Sequence, residues 1–280
     1  MKKILLPTDF SENSINAIRY AVQLFKDEKC TFHLLHAYTP AIYYIEYVPL
    51  NPDPAGLSAS IKDNLLKSLK KIVKKLKSEF NNPNHQFKTN VAFNTLILEI
   101  KETTIEKSID FIVMGTKGAT GAKEILFGSN TVHVLKNAKC PVLAIPSNFS
   151  FENPHEILFP SDYGIDFQEN HVNPIIDIAL NHISRVNILN VSYGYDLTEE
   201  QEQNRKKLEA CFKNIAHLFH RVIDQDIPEA ITMFQQKTRV NLLVMINNKH
   251  SFFENLFFKS TINQIGFHLN IPFLVIPSKF

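Results

Sequence analysis

Short apolar runs alternate along this chain with longer stretches whose apolar residues recur every three or four positions. An apolar run at residues 3–8 is followed by helical spacing from Ser11 to Phe25, and a second run covers residues 31–38. Further runs follow at residues 87–93 and 142–145. Because strands that alternate with helices form parallel sheets with right-handed crossovers, the pattern predicts a doubly wound α/β fold.

The longest helical pattern runs from Lys62 to Phe80, with leucine, isoleucine and valine on one face and lysine on the other. A basic face of this kind can contact lipid or nucleic acid, but a solvated helix surface is the simpler interpretation. The stretch before it, from Thr39 to Ser58, is rich in proline and tyrosine. We expect that stretch to fold over the surface of the domain or over a partner.

The second half of the chain repeats the first half. The matching segments are residues 3–9 with 156–162, residues 32–37 with 186–191, and residues 140–147 with 271–278. A repeat of this length predicts two tandem copies of one domain. We place the domains at residues 1–147 and 154–280, with the boundary near a polar segment, Asn148 to His155, that carries Pro154.

The composition is that of an ordinary globular protein. The chain has 280 residues, 44% of them apolar, and a formal net charge of +2. This charge argues against nucleic-acid binding through bulk charge, and no apolar run is long enough to span a bilayer. Three cysteines lie far apart without a CxxC pair, and the N-terminal apolar run is too short for a signal peptide. Together these features predict a reduced, cytoplasmic protein.

The stretch from Phe111 to Pro146 carries the candidate chemistry. Gly115 ends an apolar run, and Gly118 and Gly128-Ser129 complete the pattern G-x2-G-x9-G-S before the next helical segment. Glycines let backbone N–H groups approach phosphate oxygens, and a helix N-terminus favours an anion. Ser129 can serve as the helix N-cap or donate its hydroxyl to a phosphate. The pattern is neither a Walker A loop nor GxGxxG, and the alternative is that the glycines only make turns.

Asp9 and Gly115 each follow the carboxyl end of a predicted strand. Ligands of doubly wound sheets bind at this edge, so we expect both residues to face one crevice. The alternative for Asp9 is a role as a helix cap or turn residue. In the second half, Ile246, Lys249 and Lys259 align with the three glycines, so we expect that copy to hold no nucleotide in the same way.

These features resemble the universal stress protein family, in a tandem two-domain form. The resemblance rests on the opening strand that runs into Pro-Thr-Asp-Phe-Ser, the second strand that ends in His-Ala, and the glycine pattern. It implies adenine-nucleotide alpha-hydrolase-like domains, each with a five-stranded parallel sheet, and a stress-response or signalling role. It also implies dimerisation through the last strand. Pairing of the two last strands within one chain would make an intramolecular pseudo-dimer, and two chains could then form a homodimer.

The resemblance also implies a ligand, ATP, with Mg or Mn bound through its phosphates, and a set of contacts in the first half. Asp9 would contact the adenosine, the backbone of Ala37 would border the adenine, and Gly115 would lie against the ribose. The phosphates would be held by Gly118, Gly128, Ser129 and the backbone of Asn130. In the second half only Asp162, Val191 and Ser260 keep the family pattern.

Other candidate sites are weaker. His217 and His220 are spaced i, i+3 in a predicted helix, but no third ligand is apparent, so we predict no metal site. His36, near the end of the second strand, either borders the crevice or is a satisfied core histidine. No nucleophile and base are paired in the pattern, so we expect little or no ATP hydrolysis.

Two other functions stay open. One is a weak ATPase or nucleotidyl-transferring enzyme on the same fold. The other is a binding module for a non-nucleotide small molecule or a protein partner, suggested by the aromatic residues 39–58 and the phenylalanines of residues 252–258.

Overall fold

A computed structural model of the chain describes residues 1–39, 54–116, 127–192, 194–248 and 270–278. The described residues contain ten strands and seven helices. They form two compact units, Met1–Val134 and Leu135–Phe280. Strands alternate with helices and pair mostly in parallel, which confirms the predicted α/β fold.

The first unit contains a four-stranded parallel sheet. Its strands are β1 (Lys2–Pro7), β2 (Cys30–Tyr38), β3 (His85–Phe93) and β4 (Phe111–Gly115), in the order β3-β2-β1-β4. Its helices are α1 (Glu12–Leu24), α2 (Pro54–Phe80), α3 (Leu96–Lys107) and the first part of α4 (Ser129–Asn137). Helix α1 packs against β1 and β4, α2 against β3, and α3 against β1 and β2.

The second unit contains six strands in the order β5-β10-β9-β6-β7-β8. Its strands are β5 (Val142–Ile145), β6 (Glu156–Pro160), β7 (Arg185–Ser192), β8 (Ala216–Ile223), β9 (Leu242–Asn247) and β10 (Phe273–Pro277). Its further helices are α5 (Glu169–His182), α6 (Glu199–Cys211) and α7 (Ile227–Lys237). Strand β9 pairs in parallel with β10 and β6, and β7 pairs in parallel with β6 and β8, whereas β5 and β10 pair antiparallel.

Strand β5 belongs to the second unit because it pairs with β10, with Leu143 opposite Leu274. The sequence repeat predicted that the last strands of the two halves could pair within one chain, and this pairing is present. The domain limits at residues 147 and 154, and the association of two chains, stay predictions.

The burial of each strand follows its place in its sheet. Ile4, Leu5 and Leu6 of β1 and Leu158 of β6 are fully buried, as expected for central parallel strands covered on both faces. Strands β3 and β8 lie at the edges of their sheets, and along them buried or half-buried residues largely alternate with exposed ones. This difference explains why the central strands were easier to predict from the sequence.

Helix α2 begins at Pro54, not at Lys62 as predicted. Proline suits the first turn of a helix, because its fixed φ is helical and its missing N–H has no helical acceptor there. The end of the stretch that we expected to fold over the domain surface or a partner is therefore helical. Residues 40–53 of that stretch lie outside the described residues.

The helix predicted around His217 and His220 is wrong, because both residues lie on strand β8. Residues three apart on a strand point to opposite faces, so the two imidazoles do not converge. His217 Nδ1 lies 2.9 Å from the carbonyl oxygen of Ile215, and His220 Nε2 lies 3.0 Å from Oδ1 of Asn187. The two histidines therefore cannot act together as metal ligands on one helix face, since they do not lie on a helix.

His33 on β2 gives a testable pH dependence. Burial, followed by the charges of Lys88, Lys107 and Lys3, lowers the pKa of His33 below its ordinary value of 6.5. Because the unfolded chain then binds more protons than the folded one, the free energy of unfolding falls as the pH drops below about 6.5. We expect His33→Asn to weaken this fall, as measured by urea titrations at about pH 7.5 and pH 5.5.

His33→Asn introduces the residue that the second copy already has at the matching position, Asn187. The pKa values of His85 and His220 are also lowered by burial, so the variant should keep part of the pH dependence. An unchanged difference in unfolding free energy between the two pH values would contradict the assignment to His33.

Candidate functional site

Asp9 lies in the loop that joins β1 to α1. Its Oδ1 accepts hydrogen bonds from the backbone N–H of Ser11 (3.0 Å) and from the Ser11 hydroxyl (2.5 Å). Ser11 in turn caps α1, as predicted, by accepting a bond from the N–H of Ser14. Burial raises the pKa of Asp9, but the hydrogen bonds from Ser11 and Ser14 outweigh it and hold the pKa below 3.8. The Asp9 side chain therefore stabilises the turn, which was the alternative role predicted for it, and it remains an ionised carboxylate.

Gly115, the last residue of β4, is held between two helices. A Cβ at this position would lie 2.5 Å from Nδ2 and 2.7 Å from Cγ of Asn13 in the first turn of α1. Its carbonyl oxygen accepts a 3.0 Å hydrogen bond from the hydroxyl of Thr131 in the first turn of α4. The packing of Asn13 therefore requires a glycine here, independently of any ligand.

Gly128 sits at the start of α4. Its N–H donates to the carbonyl oxygen of Thr116 (2.7 Å), and its own carbonyl oxygen accepts from the N–H of Val132 (3.0 Å). Helix α4 begins at Ser129, so Gly128 holds the position before the helix and Ser129 lies inside it, while the alternative role of Ser129 as a hydroxyl donor to a phosphate stays a prediction. Ser129 and Asn130 are exposed in the first turn, where helical N–H groups lack helical acceptors and can bind an anion.

The predicted site residues gather at one edge of the sheet of the first unit. Strand β1 pairs with both β2 and β4, so the carboxyl ends of these three strands are adjacent. The contacts of Gly115 with Asn13 and Thr131 bring the starts of α1 and α4 to the same edge. The residues gathered there are Asp9, Ala37, Gly115, Gly128, Ser129 and Asn130. Gly118 lies outside the described residues, and the binding roles stay predictions.

Sequence reasoning missed two residues at this edge, Asn13 and Thr131. Both are polar, yet only 8% of Asn13 and 3% of Thr131 is exposed to solvent. Nothing in their local pattern distinguishes them from ordinary first-turn residues of a helix. Their contacts with Gly115 come from elements far apart in the sequence, so only the tertiary structure shows them.

The second copy has the same turn, but side chains of the protein bond to the backbone carbonyl oxygens of this turn. Asp162 Oδ1 accepts from the N–H of Gly164 (2.9 Å), as Asp9 Oδ1 does from that of Ser11. Two side chains of α6 then donate to the carbonyl oxygens of this turn, Gln201 to Asp162 (2.9 Å) and Asn204 to Tyr163 (3.0 Å). The turn carbonyls of this copy are thus bonded to the protein itself.

Two further positions separate the second copy from the first. The ring of Tyr163 is buried, and this burial raises the pKa of Tyr163 to about 12. Ile246, which aligns with Gly115, is buried in β9 and pairs with Ile276 of β10. Lys249, Lys259 and Ser260, as well as the phenylalanines of residues 252–258, lie outside the described residues.

The comparison with known families bears on both halves. The model of the universal stress protein family matches residues 1–146 and 176–277. The chain belongs to the universal stress protein family. The two matched segments agree with the tandem form that the internal repeat predicted.

Two relatives match part of this universal stress protein, and one solved structure matches nearly its whole length. Universal stress protein MJ0531 of Methanocaldococcus jannaschii is 38% identical over 149 residues, which are 51% of this chain and 81% of that protein. Universal stress protein MJ0577 of the same organism is 33% identical over 153 residues, 51% of this chain and 94% of that protein. The crystal structure of a universal stress protein from Archaeoglobus fulgidus matches with a TM-score of 0.70 at 17% identity and covers 98% of both chains, which shows a shared fold.

Two features are absent from the described residues. In the ranges that the structure describes, no helix of this universal stress protein is long and apolar enough to cross a membrane. In those same ranges, no three His, Cys, Asp or Glu side chains are grouped as metal ligands.

Proposed function

We propose that this universal stress protein binds ATP in its first copy alone and acts in a cytoplasmic stress response or signalling pathway. Nucleotide occupancy would then set its conformation or its choice of partner. The observation that supports this most is the meeting of three features at one sheet edge: the Asp9 turn, the end of β4 at Gly115, and the exposed start of α4. Such an edge is where doubly wound sheets bind nucleotides.

Each feature has a defined part in this proposal. The first-turn N–H groups at Ser129 and Asn130 bind phosphate oxygens, because a helix start offers unpaired donors and a positive dipole end. The Asp9 carboxylate accepts hydrogen bonds from the adenosine, and the backbone at Ala37 borders the adenine. We assign Mg or Mn to the phosphate oxygens, whose negative charge the cation reduces.

The second copy supports a stoichiometry of one nucleotide per chain. Its turn carbonyls at Asp162 and Tyr163 are already bonded to Gln201 and Asn204 of α6. Asp162 is also half-buried, whereas Asp9 is exposed, so the aspartate of the second copy is less accessible to a ligand. In this proposal the second copy has a structural or regulatory role.

We expect slow ATP hydrolysis or none. A general base works best when its pKa lies near the working pH. The hydrogen bonds from Ser11 hold the pKa of Asp9 below 3.8, so its carboxylate is a poor acceptor for a proton from water. Phosphate release well above background that Asp9→Ala abolishes would instead favour a weak ATPase.

The matched aspartates give the first test of nucleotide binding. Asp9→Ala is expected to weaken MgATP binding about ten- to hundredfold, because it removes hydrogen bonds to a charged acceptor. Asp162→Ala removes the same turn from the second copy and is expected to leave the affinity unchanged. Isothermal titration gives both the dissociation constants and the stoichiometry of one nucleotide per chain.

A glycine variant tests the phosphate end in the same assay. Gly128→Lys is expected to weaken binding at least about tenfold, because a side chain stands where a phosphate must approach the backbone. The second copy already carries lysine at the aligned position. Wild-type protein that binds no MgATP, or a Gly128→Lys variant with unchanged affinity, would refute the proposed site. Recovery of a lipid-like molecule and no nucleotide from purified protein would favour the non-nucleotide alternative.

A further inference from the structure

The loop that carries Asp9 has a strained backbone. Phe10, the next residue, has a φ of +63°, in the left-handed region that residues other than glycine rarely adopt. Such a conformation persists only where neighbouring groups hold it in place. The position of the Asp9 carboxylate therefore depends on whatever holds Thr8 and Phe10.

His36 on β2 holds the residues on both sides of Asp9. Its Nδ1 lies 2.7 Å from the carbonyl oxygen of Thr8, and since that oxygen can only accept, Nδ1 carries the proton. The centroid of its ring lies 4.5 Å from that of Phe10. The Thr8 hydroxyl supplies a second support by accepting from the N–H of Phe10 (3.0 Å).

The second copy makes the equivalent hydrogen bond with a different side chain. Asn190, which matches His36, donates its Nδ2 to the carbonyl oxygen of Ser161 (3.0 Å). The residue after Asp162, Tyr163, has a φ of +56°, and its N–H donates to the Ser161 hydroxyl (3.1 Å). The repeat shows that an asparagine amide can make the bond that His36 makes.

We propose that His36 is a positioning residue for nucleotide binding, which acts by fixing the Asp9 turn through its hydrogen bond to the Thr8 carbonyl oxygen. This inference rests on the proposed function, because it concerns the affinity of the same site. His36 does not contact the nucleotide in this proposal. Its effect on affinity passes through the position of the Asp9 carboxylate.

A double-mutant cycle tests this dependence. His36→Ala is expected to weaken MgATP binding about tenfold in the wild-type background, because the half-buried hydrogen bond that positions the Asp9 turn is lost. In an Asp9→Ala background it should cause no further loss, because the carboxylate that it positions is absent. Dissociation constants come from isothermal titration at a temperature where all four proteins are folded.

Two conservative substitutions separate positioning from a general loss of structure. His36→Asn copies Asn190 and should keep affinity within about threefold of wild type, since its amide nitrogen sits where Nδ1 does. In His36→Gln the amide nitrogen lies one bond farther from the backbone, at about the distance of the histidine Nε2. This variant should therefore bind MgATP as weakly as His36→Ala does. If His36→Ala does not fold, the comparison of the Asn and Gln variants still tests the positioning role of His36.

Asn190→Ala is the matched control. It removes the equivalent hydrogen bond from the second copy and is expected to leave the affinity for MgATP unchanged. Additive losses in the Asp9 cycle, or equal affinities for the Asn and Gln variants, would overturn the role of His36 while leaving ATP binding intact. Failure of the wild-type protein to bind MgATP would overturn the proposed function itself, and this inference with it.

Discussion

Leu274→Ala is expected to lower the free energy of unfolding by about 2–5 kcal/mol, the largest effect of any substitution considered for this protein. Leu274 is fully buried in β10 and lies between Leu143 of β5 and Val244 of β9. The substitution removes apolar contacts with both neighbouring strands and leaves a cavity that the packed sheet cannot close. Urea titration followed by circular dichroism measures the loss.

An exposed leucine in the same unit provides the control. Leu180 on α5 is 55% exposed, and Leu180→Ala is expected to change the unfolding free energy by no more than about 0.5 kcal/mol. Equal effects of the two substitutions would show that β10 is not packed between β5 and β9 in solution.

Gly115→Ala is expected to lower the free energy of unfolding by about 1–3 kcal/mol, the usual cost of overpacking a buried site. The added Cβ would stand 2.5–2.7 Å from the amide group of Asn13, closer than van der Waals contact allows. Asn13 is buried in the first turn of α1 and has little room to move. The same urea titration measures the effect.

Asn13→Ala identifies the cause, because it removes the amide atoms that the new Cβ would meet. In the double variant the cost of Gly115→Ala should largely disappear, so the two effects should not add. Strictly additive costs would mean that Gly115 is needed for another reason, such as the bond from Thr131 to its carbonyl oxygen.

The sequence predicted the central strands well and the edge strands less well. Strands β1 and β6 are continuous apolar runs because both faces of a central parallel strand are buried. Strand β8 is half exposed, and its spacing of Leu218, Phe219, Val222 and Ile223 also fits one face of a helix. Periodicity alone could not decide between the two, and the helix prediction for His217 and His220 was wrong.

The candidate site was predictable in its main residues but not in their partners. The glycine pattern and the position of Asp9 after a strand are local features, and the sequence placed both at one sheet edge. The reason that Gly115 must be a glycine is a contact with Asn13, which belongs to another helix. The hydrogen bond from His36 of β2 to Thr8, in the loop after β1, likewise joins segments far apart in the sequence and has no local signal.

The sequence by itself determined the α/β class, the duplication and the loss of the glycines from the second copy. These follow from periodicity, repetition and residue type, which are visible in the order of the residues. The tertiary structure decided that β5 pairs with β10, that α6 bonds to the turn at Asp162, that His36 bonds to the Thr8 carbonyl oxygen, and that Asn13 packs against Gly115. The physical reason is that a sequence pattern records how buried each residue is, while the identity of its neighbours depends on how distant elements pack.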